Sequence, residues 1–314
     1  MGENSNKVAF VFPGQASQYV GMAKEFVEEY PPASEMFDTA ADILGFDLKK
    51  ICLEGPADKL VQTMYTQPAL FLHSVIADRF LAENGIRPHC GAGHSLGEIS
   101  ALTAAGVLSF EDGLKVVRMR SSAMQTDCDN NPGTMAAVIG LGINKIKEIC
   151  ESIDGIVQPA NFNSSSQIAV SGEIEAVDEF MAKAKDAGAK RVVKLAVGGA
   201  YHSPLMQSTM KKLEELFEDI SFSRAEFPVA ANVTAGYYNE DKSPAEYLVK
   251  QIQSPVLWHP SMEFLASEGV NTFIEVGPGN VLQGLIKRSV KGVELGSFEK
   301  PGQLQAVREL IEGK

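Results

Sequence analysis

Short apolar runs alternate along this chain with longer stretches in which apolar residues recur at helical spacing. The first run, Val8 to Phe12, is rich in β-branched and aromatic residues and stops at Pro13-Gly14, which predicts a buried strand. After Pro68, a stripe of apolar residues predicts a helix that ends near Gly85; its members are Leu72, Val75, Ile76 and Phe80. A small-residue segment at 90–94 follows, and then predicted helices at 96–105 and 110–124.

The middle of the chain has a different order of predicted elements. The pattern predicts strand, helix, strand, strand, helix and strand at residues 134–140, 144–152, 155–161, 167–171, 174–187 and 191–196. This β-α-β-β-α-β order is typical of a ferredoxin-like unit. Turn-forming residues bracket it, at 129–133 before and at Gly198-Gly199 after. We therefore predict a small ferredoxin-like domain at residues 131–197.

The rest of the chain returns to alternating helices and strands. The pattern predicts helices at 205–217, 244–253 and 261–268, a strand at 272–276 and a further helix that ends at Arg288. Such alternation predicts an α/β fold whose mostly parallel sheet is covered by helices on both faces. We predict that residues 1–130 and 198–314 form this larger, discontinuous catalytic domain. The cleft between the two domains would be a natural ligand site.

Composition narrows the classes of function. The chain has 314 residues, 45% of them hydrophobic, and no run of about 18 apolar residues that would predict a transmembrane helix. Its N-terminal apolar run is too short for a signal peptide, so we predict a cytoplasmic protein. The net charge of −12 disfavours nucleic acid and anionic membranes as partners.

The four cysteines point to no metal site or disulfide. They are Cys52, Cys90, Cys128 and Cys150, which are dispersed along the chain without ligand-like spacing to one another or to histidine. Such cysteines in an intracellular chain are usually buried thiols. We therefore predict no metal and no other cofactor.

One short motif has the chemistry of a nucleophile. Residues 93–97, Gly-His-Ser-Leu-Gly, match G-x-S-x-G and lie between a strand-like segment and a predicted helix. On such a turn the small neighbours let the backbone pass closely, the serine oxygen is exposed, and the next backbone N–H points at a forming oxyanion. Ser95 is thus the candidate nucleophile.

A serine hydroxyl needs a base, and the chain has only five histidines. His202 is favoured because it lies in a loop between Gly198-Gly199 and a predicted helix, from where a catalytic imidazole could reach back to Ser95. The pattern leaves the other four open: His94 beside the nucleophile, His73 on a helix face, and His89 and His259 in predicted loops.

Arg120 is a further candidate, on the helix after the one that begins at Leu96. A buried guanidinium at this place could bind a carboxylate through two hydrogen bonds, although the residue pattern alone favours a surface or structural arginine.

With these motifs in view, the chain resembles the malonyl-CoA:acyl carrier protein transacylase family over essentially its whole length. Eight ordered motifs carry the resemblance, and they lie at residues 12–15, 66–69, 93–98, 118–120, 161–163, 201–203, 251–256 and 275–279. One departure is Ile99, where tyrosine is more common in the family. The family fold combines an α/β-hydrolase-like large domain with an inserted ferredoxin-like small domain, which agrees with the pattern above.

The resemblance implies a role for each matching residue. Ser95 would be the nucleophile and His202 its base, and the backbone N–H groups of Gln15 and Leu96 would form the oxyanion hole. Arg120 would bind the malonyl carboxylate. The main-chain carbonyl of Gln251 would orient the imidazole. Two further residues, Tyr201 and Asn163, would lie in the substrate site. In related polyketide acyltransferase domains, a bulky residue at the position of Tyr201 resembles the malonyl-selective pattern and a serine there the methylmalonyl-selective one.

The implied reaction transfers malonyl from malonyl-CoA to the phosphopantetheine thiol of a holo-acyl carrier protein, for fatty acid synthesis. Because both partners are acidic like the chain itself, the carrier would need a local basic patch; candidates are Lys190, Arg191 and Lys194, and the pair Lys287 and Arg288. Three alternatives remain open at this point: a trans-acting acyltransferase of a polyketide synthase, a serine thioesterase or esterase, and a silent protein that only binds the carrier.

Overall fold

The computed structural model describes residues 6–239 and 241–313. Its strands are β1 (Val8–Phe12), β2 (Cys90–Gly93), β3 (Gly133–Ile139), β4 (Val157–Ser164), β5 (Gln167–Glu173), β6 (Arg191–Lys194), β7 (Val229–Ala230), β8 (Thr272–Val276) and β9 (Glu294–Phe298).

The helices of the first half of the chain are α1 (Lys24–Glu29), α2 (Pro31–Leu44), α3 (Leu48–Glu54), α4 (Ala57–Leu60), α5 (Thr63–Glu83), α6 (Leu96–Ala104) and α7 (Phe110–Asn130). Those of the second half are α8 (Ile143–Glu151), α9 (Ile174–Asp186), α10 (Gln207–Phe217), α11 (Pro244–Gln251), α12 (Trp258–Ser267), α13 (Val281–Ser289) and α14 (Leu304–Glu312). Short 3-10 helices at Pro204–Met206 and Pro301–Gln303 precede α10 and α14.

The larger sheet is parallel, with strand order β7-β2-β1-β8-β9. Every residue of β1, β2 and β8 is buried, which explains why their sequences read as continuous apolar or small-residue runs. Because β1 lies between β2 and β8, the loops after β1 and β2 leave the sheet side by side. Ligand sites in parallel sheets form at such carboxyl ends.

The smaller sheet is antiparallel, with strand order β4-β5-β3-β6. Helices α8 and α9 cover one face, where Val138, Val170 and Phe180 belong to a separate hydrophobic core. The element order β-α-β-β-α-β and this strand order are those of a ferredoxin-like unit. The mixed α/β fold with a parallel sheet and a separate ferredoxin-like sheet is therefore as the sequence predicted.

The two sheets are joined through β4. Its Asn161 forms a bridge with Val256, and the backbone N–H of Phe162 donates to the Val256 carbonyl at 2.9 Å. Helix α13 also packs against β4, and the Ser165 hydroxyl after β4 donates to the carbonyl of Arg288 at 3.2 Å. These contacts place α13 along the edge of the space between the sheets.

Most predicted elements match the structure within a few residues, and β1 and β8 match at both ends. Two predictions were wrong in detail. Helix α5 begins at Thr63 and contains Pro68, because burial of Thr63, Thr66 and Gln67 stabilises its first turns. His259 lies in α12 and not in a loop, since this helix begins at Trp258 and not at residue 261 as predicted. Strands β7 and β9 and helix α14 were not predicted, and helices α1 to α4 were predicted without bounds.

All four cysteines are buried free thiols. In the two described ranges, no cluster of three or more histidine, cysteine, aspartate or glutamate side chains is arranged to hold a metal ion. Among the helices of residues 6–239 and 241–313, none combines the length and the apolar character that crossing a membrane requires.

Candidate active site

Ser95 lies on a sharp turn between β2 and α6. Its backbone has φ 52° and ψ −103°, a conformation that non-glycine residues rarely adopt. The glycines of the motif make this turn possible, because a Cβ on Gly93 would overlap the Gly97 carbonyl, and a Cβ on Gly97 would overlap the carbonyl oxygen of Phe12. The turn therefore packs directly on β1, and the Ser95 side chain is left half-exposed.

His202 faces this serine, and the distance from Ser95 Oγ to His202 Nε2 is 2.8 Å. On the other side of the ring, Nδ1 lies 2.9 Å from the main-chain carbonyl oxygen of Gln251. A carbonyl oxygen only accepts, so Nδ1 carries the proton and donates it, and Nε2 presents a lone pair to the serine hydroxyl. This tautomer is the one a general base requires.

The environment of His202 keeps its imidazole neutral. Burial, and to a smaller extent the charge of Arg120, lower the pKa of His202 to about 3. The ring is therefore unprotonated at neutral pH when the site is empty. His202 has φ 58°, so the base, like the nucleophile, lies in the left-handed region of backbone conformations.

Arg120 projects from α7 into the same place and is only 2% exposed. Its Nη2 donates to Ser95 Oγ at 2.9 Å and to Gln251 Oε1 at 3.0 Å, and its Nη1 donates to Gln67 Oε1 at 2.6 Å. Burial lowers the pKa of Arg120 to about 10, so the side chain stays charged at neutral pH. It has no direct carboxylate partner in these hydrogen bonds, and a positive charge beside the nucleophile is thus available to an anionic ligand.

These side chains open into a cavity of about 410 Å³ between the two sheets, which we call the active-site cavity. Six residues predicted from the sequence line it: Gln15, Ser95, Arg120, Asn163, Tyr201 and His202. Apolar residues complete the walls, including Met135 from β3, Leu195 after β6 and Val281 from α13.

Two predicted site residues, Leu96 and Gln251, lie behind the cavity wall. Leu96 is the first residue of α6, so its backbone N–H has no acceptor within the helix and lies next to Ser95. Gln251 is 1% exposed and ends α11, and it contacts both His202 and Arg120.

Asn163 and Tyr201 line the cavity with polar atoms. Asn163 Oδ1 accepts a 2.9 Å hydrogen bond from Nε2 of His94, whose ring packs against Trp258 beneath the turn. The Tyr201 hydroxyl is hydrogen-bonded to the Thr63 hydroxyl, and burial raises the pKa of Tyr201 to about 12, so the phenol stays protonated.

The other histidines have different surroundings. His73 is buried and its Nε2 bonds the carbonyl of Glu299 at 2.9 Å, and the Nδ1 of His89 accepts the backbone N–H of Val8 at 3.0 Å. His259 faces Glu263 one turn along α12. Of the five histidines, His202 is the one whose ring bonds Ser95 Oγ.

The sequence reasoning missed three residues that hold this arrangement. Asn232 accepts from the backbone N–H of Ser95 at 2.8 Å and donates to the Gly93 carbonyl at 2.7 Å, which supports the turn on both sides. Gln67 holds Arg120, and the buried carboxylate of Glu98 contacts Gln251. Glu98 carried one signal, because a charged residue in the otherwise apolar segment of α6 predicts a buried polar contact.

The sequence of this chain matches a known protein family. The sequence profile of the family described as "Acyl transferase domain" matches residues 9–305. The malonyl CoA-acyl carrier protein transacylase of Bacillus subtilis (strain 168) is 41% identical over 311 residues, which cover 98% of each chain.

Solved structures agree with the sequence match. The malonyl CoA-acyl carrier protein transacylase of Coxiella burnetii superposes with a TM-score of 0.94 at 37% identity, over 98% of both chains. A malonyl-transacylase called PlMCAT, solved in complex with the holo type II PKS acyl-carrier protein AntF, has a TM-score of 0.93 at 37% identity; the match covers 98% of this chain and 100% of that one.

Proposed function

Because this chain belongs to the acyl transferase domain family, we propose that it transfers malonyl from malonyl-CoA to the phosphopantetheine thiol of a holo-acyl carrier protein. The transfer supplies extender units for fatty acid synthesis and proceeds through a malonyl-serine ester. The observation that carries the proposal is the position of Ser95 Oγ, 2.8 Å from the imidazole of His202 and 2.9 Å from the guanidinium of Arg120.

In the first half-reaction, Ser95 Oγ attacks the thioester carbonyl of malonyl-CoA while His202 Nε2 takes its proton. The negative charge on the carbonyl oxygen is stabilised by the backbone N–H groups of Gln15 and Leu96. Each such donor contributes about 2.7–4 kcal/mol to transition-state stabilisation. The C–S bond then breaks, the imidazolium returns the proton to the departing sulfur, and coenzyme A leaves.

In the second half-reaction, the carrier's thiol attacks the malonyl-serine ester. His202 Nε2 takes the thiol proton and gives it to Ser95 Oγ as the ester bond breaks. The hydrogen bond from Nδ1 to the Gln251 carbonyl keeps the imidazole in the required orientation in both halves. Neither half needs a metal ion or another cofactor, since the proton transfers and the charge stabilisation come from side chains and backbone.

Arg120 selects a donor that carries a carboxylate. Leaving a buried charge unpaired costs several kcal/mol, and the malonyl carboxylate relieves that cost, whereas an acetyl group does not. A bound carboxylate also offsets the Arg120 charge that lowers the pKa of His202. The malonyl donor therefore makes the base stronger when it binds.

The carrier protein docks at the cavity mouth through charge complementarity. Lys287 and Arg288, the basic patch, are exposed in the last turn of α13, whose first residue, Val281, lies on the cavity rim. Of the other candidate cations, Lys194 is paired with Asp178 at 2.7 Å. We therefore favour the basic patch on α13.

The proposal includes the arrangement of domains and the location of the protein. Residues 131–197 form the small domain and residues 1–130 and 198–314 the catalytic domain; of these, residues 1–5, 240 and 314 lie outside the described part of the chain. A cytoplasmic location, where both substrates are made, belongs to the proposal as well.

Intact-mass spectrometry with malonyl-, methylmalonyl- and acetyl-CoA tests the proposal. We expect the wild-type protein to gain one malonyl group, and the labelled fraction to be larger with malonyl-CoA than with acetyl-CoA. The malonyl group should be lost when holo-carrier protein is added. The Ser95→Ala variant should gain none. A variant that still becomes labelled would refute the assignment of the nucleophile.

The same experiment separates the alternatives. Rapid release of free malonate without acceptor would indicate a thioesterase or esterase, and absence of any acyl-enzyme would indicate a protein that only binds the carrier. Parallel reactions with a fatty acid carrier and a polyketide carrier distinguish the two pathways, which is informative because PlMCAT was solved with a polyketide carrier.

A further inference from the structure

Glu98 is a completely buried carboxylate at the third position of α6, with 0% exposure. It contacts neither the active-site cavity nor Ser95 Oγ, and the proposed transfer steps do not use it. Burial raises the pKa of Glu98 to about 7, while its hydrogen-bond donors and Arg120 act in the opposite direction. A buried acid with no role in the chemistry needs another explanation.

Three groups donate hydrogen bonds to Glu98. Oε1 accepts from the Tyr238 hydroxyl at 2.6 Å and from the backbone N–H of Asn232 at 3.1 Å, and Oε2 accepts from Nε2 of Gln251. Because all three partners donate, they favour the ionised carboxylate. The carboxylate in turn determines where the amide of Gln251 lies.

The orientation of the Gln251 amide is unambiguous. Its Oε1 accepts from Arg120 Nη2, and a guanidinium can only donate. Its Nε2 donates to Glu98 Oε2 and, at 3.0 Å, to the main-chain carbonyl of Ser95, and that carbonyl can only accept. The opposite amide orientation would place two donors against each other at Arg120 and two acceptors against each other on the other side.

We propose that Glu98 is the positioning residue of this site, which holds Gln251 so that one residue orients both the carboxylate-binding Arg120 and the base His202. The Gln251 side chain links the buried anion of Glu98 to the buried cation of Arg120, so Glu98 acts as the indirect counterion of that arginine. The main-chain carbonyl of the same glutamine orients His202 Nδ1. The inference rests on the proposed function, since it assigns Arg120 to the malonyl carboxylate.

The contact also links the reacting groups along the chain. Glu98 follows the nucleophile by three residues, whereas Gln251 lies 153 residues after Glu98. A displacement of about 1 Å in a positioned catalytic group can cost about 100-fold in rate. A substitution at Glu98 should therefore act on transfer although the residue touches no substrate.

Glu98→Gln is the test, because it preserves the size of the side chain and places an amide opposite the Gln251 amide. We expect kcat/KM for malonyl-CoA to fall about 10- to 100-fold. Loss of orientation at Arg120 affects a donor with a carboxylate more than a donor without one, so the ratio of malonyl-CoA to acetyl-CoA kcat/KM should fall at least about fivefold. Glu98→Asp, which keeps the charge, should recover part of that ratio.

Asp127→Asn is the matched control. Asp127 is also a buried carboxylate that accepts several hydrogen bonds, from Ser208 and Thr209, but it contacts neither Gln251 nor the cavity. A purely structural loss reduces the amount of folded enzyme and lowers the apparent kcat/KM for both donors by the same factor. We therefore expect the donor ratio of Asp127→Asn to equal that of the wild type.

Two results would overturn the inference. One is a donor ratio within about twofold of wild type in folded Glu98→Gln. The other applies if that variant does not fold, and it uses Tyr238→Phe, which removes one hydrogen-bond donor to Glu98. We expect a smaller fall in the donor ratio for Tyr238→Phe, and an unchanged ratio would overturn the inference. A wild-type protein that forms no malonyl-enzyme would instead refute the proposed function itself.

Discussion

The two sheets bury their side chains in different ways. In the parallel sheet, β1 and β8 are buried at every position because helices cover both faces. In the antiparallel sheet, half of the β4 residues are only half-buried, and β6 exposes both of its end residues. One sheet is a core, and the other has one face on its helices and one towards the active-site cavity.

The reacting residues and the walls of the active-site cavity also come from different regions of the chain. Ser95, Arg120, His202 and Gln251 all belong to segments outside residues 133–194, and they are held by hydrogen bonds in a buried setting. The antiparallel sheet contributes cavity walls, among them Met135 and Asn163. Changes in the first region should therefore act on bond making, and changes in the second on binding.

The largest expected effect is that of His202→Ala. Without the imidazole no group takes the Ser95 proton, so we expect the rate of malonyl-enzyme formation to fall by about 10⁴-fold or more. Rapid-quench mass spectrometry measures that rate. A loss below about 10-fold would mean that another base serves Ser95, and the separation between the two regions would no longer hold.

Arg120→Ala should come next and should change the donor. Loss of the guanidinium leaves the malonyl carboxylate without its partner. Because breaking a buried ion pair costs about 3 kcal/mol, we expect kcat/KM for malonyl-CoA to fall by about 100-fold or more. Acetyl transfer should rise relative to malonyl transfer. Steady-state assays with both donors measure this, and an unchanged preference would remove Arg120 from its proposed role.

A weaker effect is expected across the cavity, at Asn163→Ala on β4. The variant loses the hydrogen bond with His94, which is worth about 1 kcal/mol. We expect KM for malonyl-CoA to rise about fivefold with kcat within twofold of wild type. Ser166→Ala, at the exposed turn after β4, is the control; a fall in kcat for Asn163→Ala alone would show that the small sheet takes part in the chemistry.

The smallest expected effect is a reversal of charge on the basic patch. Lys287→Glu with Arg288→Glu should raise KM for the carrier protein about threefold, because charges on the rim act mainly on association. Hydrolysis of malonyl-CoA should stay unchanged. Lys211→Glu with Lys212→Glu on α10 applies the same charge change away from the cavity, and an equal effect there would argue against docking at α13.

The ease of predicting each element from the sequence followed its burial. The run at Val8–Phe12 matched β1 at both ends because strands buried on both faces have continuous apolar sequences. Strand β9 was missed because its sequence, Glu294–Phe298, contains glycine and serine and is buried only at Phe298. In α5, the residue pattern showed one stripe, but the structure buries nearly the whole circumference, so the start at Thr63 could not be read from periodicity.

The site was predictable where the residues are adjacent in sequence. The turn around Ser95 is local, and its glycines carry its geometry. His202 was one of five candidates, since its distance from Ser95 is decided by packing across 107 residues of chain. Asn232 and Glu98 could not be assigned because their contacts span more than 130 residues, and no local pattern encodes such pairs.

Both reacting residues have left-handed backbones, Ser95 with φ 52° and His202 with φ 58°. Such conformations cost roughly 1–3 kcal/mol each in a residue with a side chain, and glycine would adopt them freely. Selection for thermal stability alone would therefore favour glycine at positions 95 and 202, where it would remove the two reacting side chains. Thermostable versions of this enzyme should be sought elsewhere in the molecule, with positions 95 and 202 held constant.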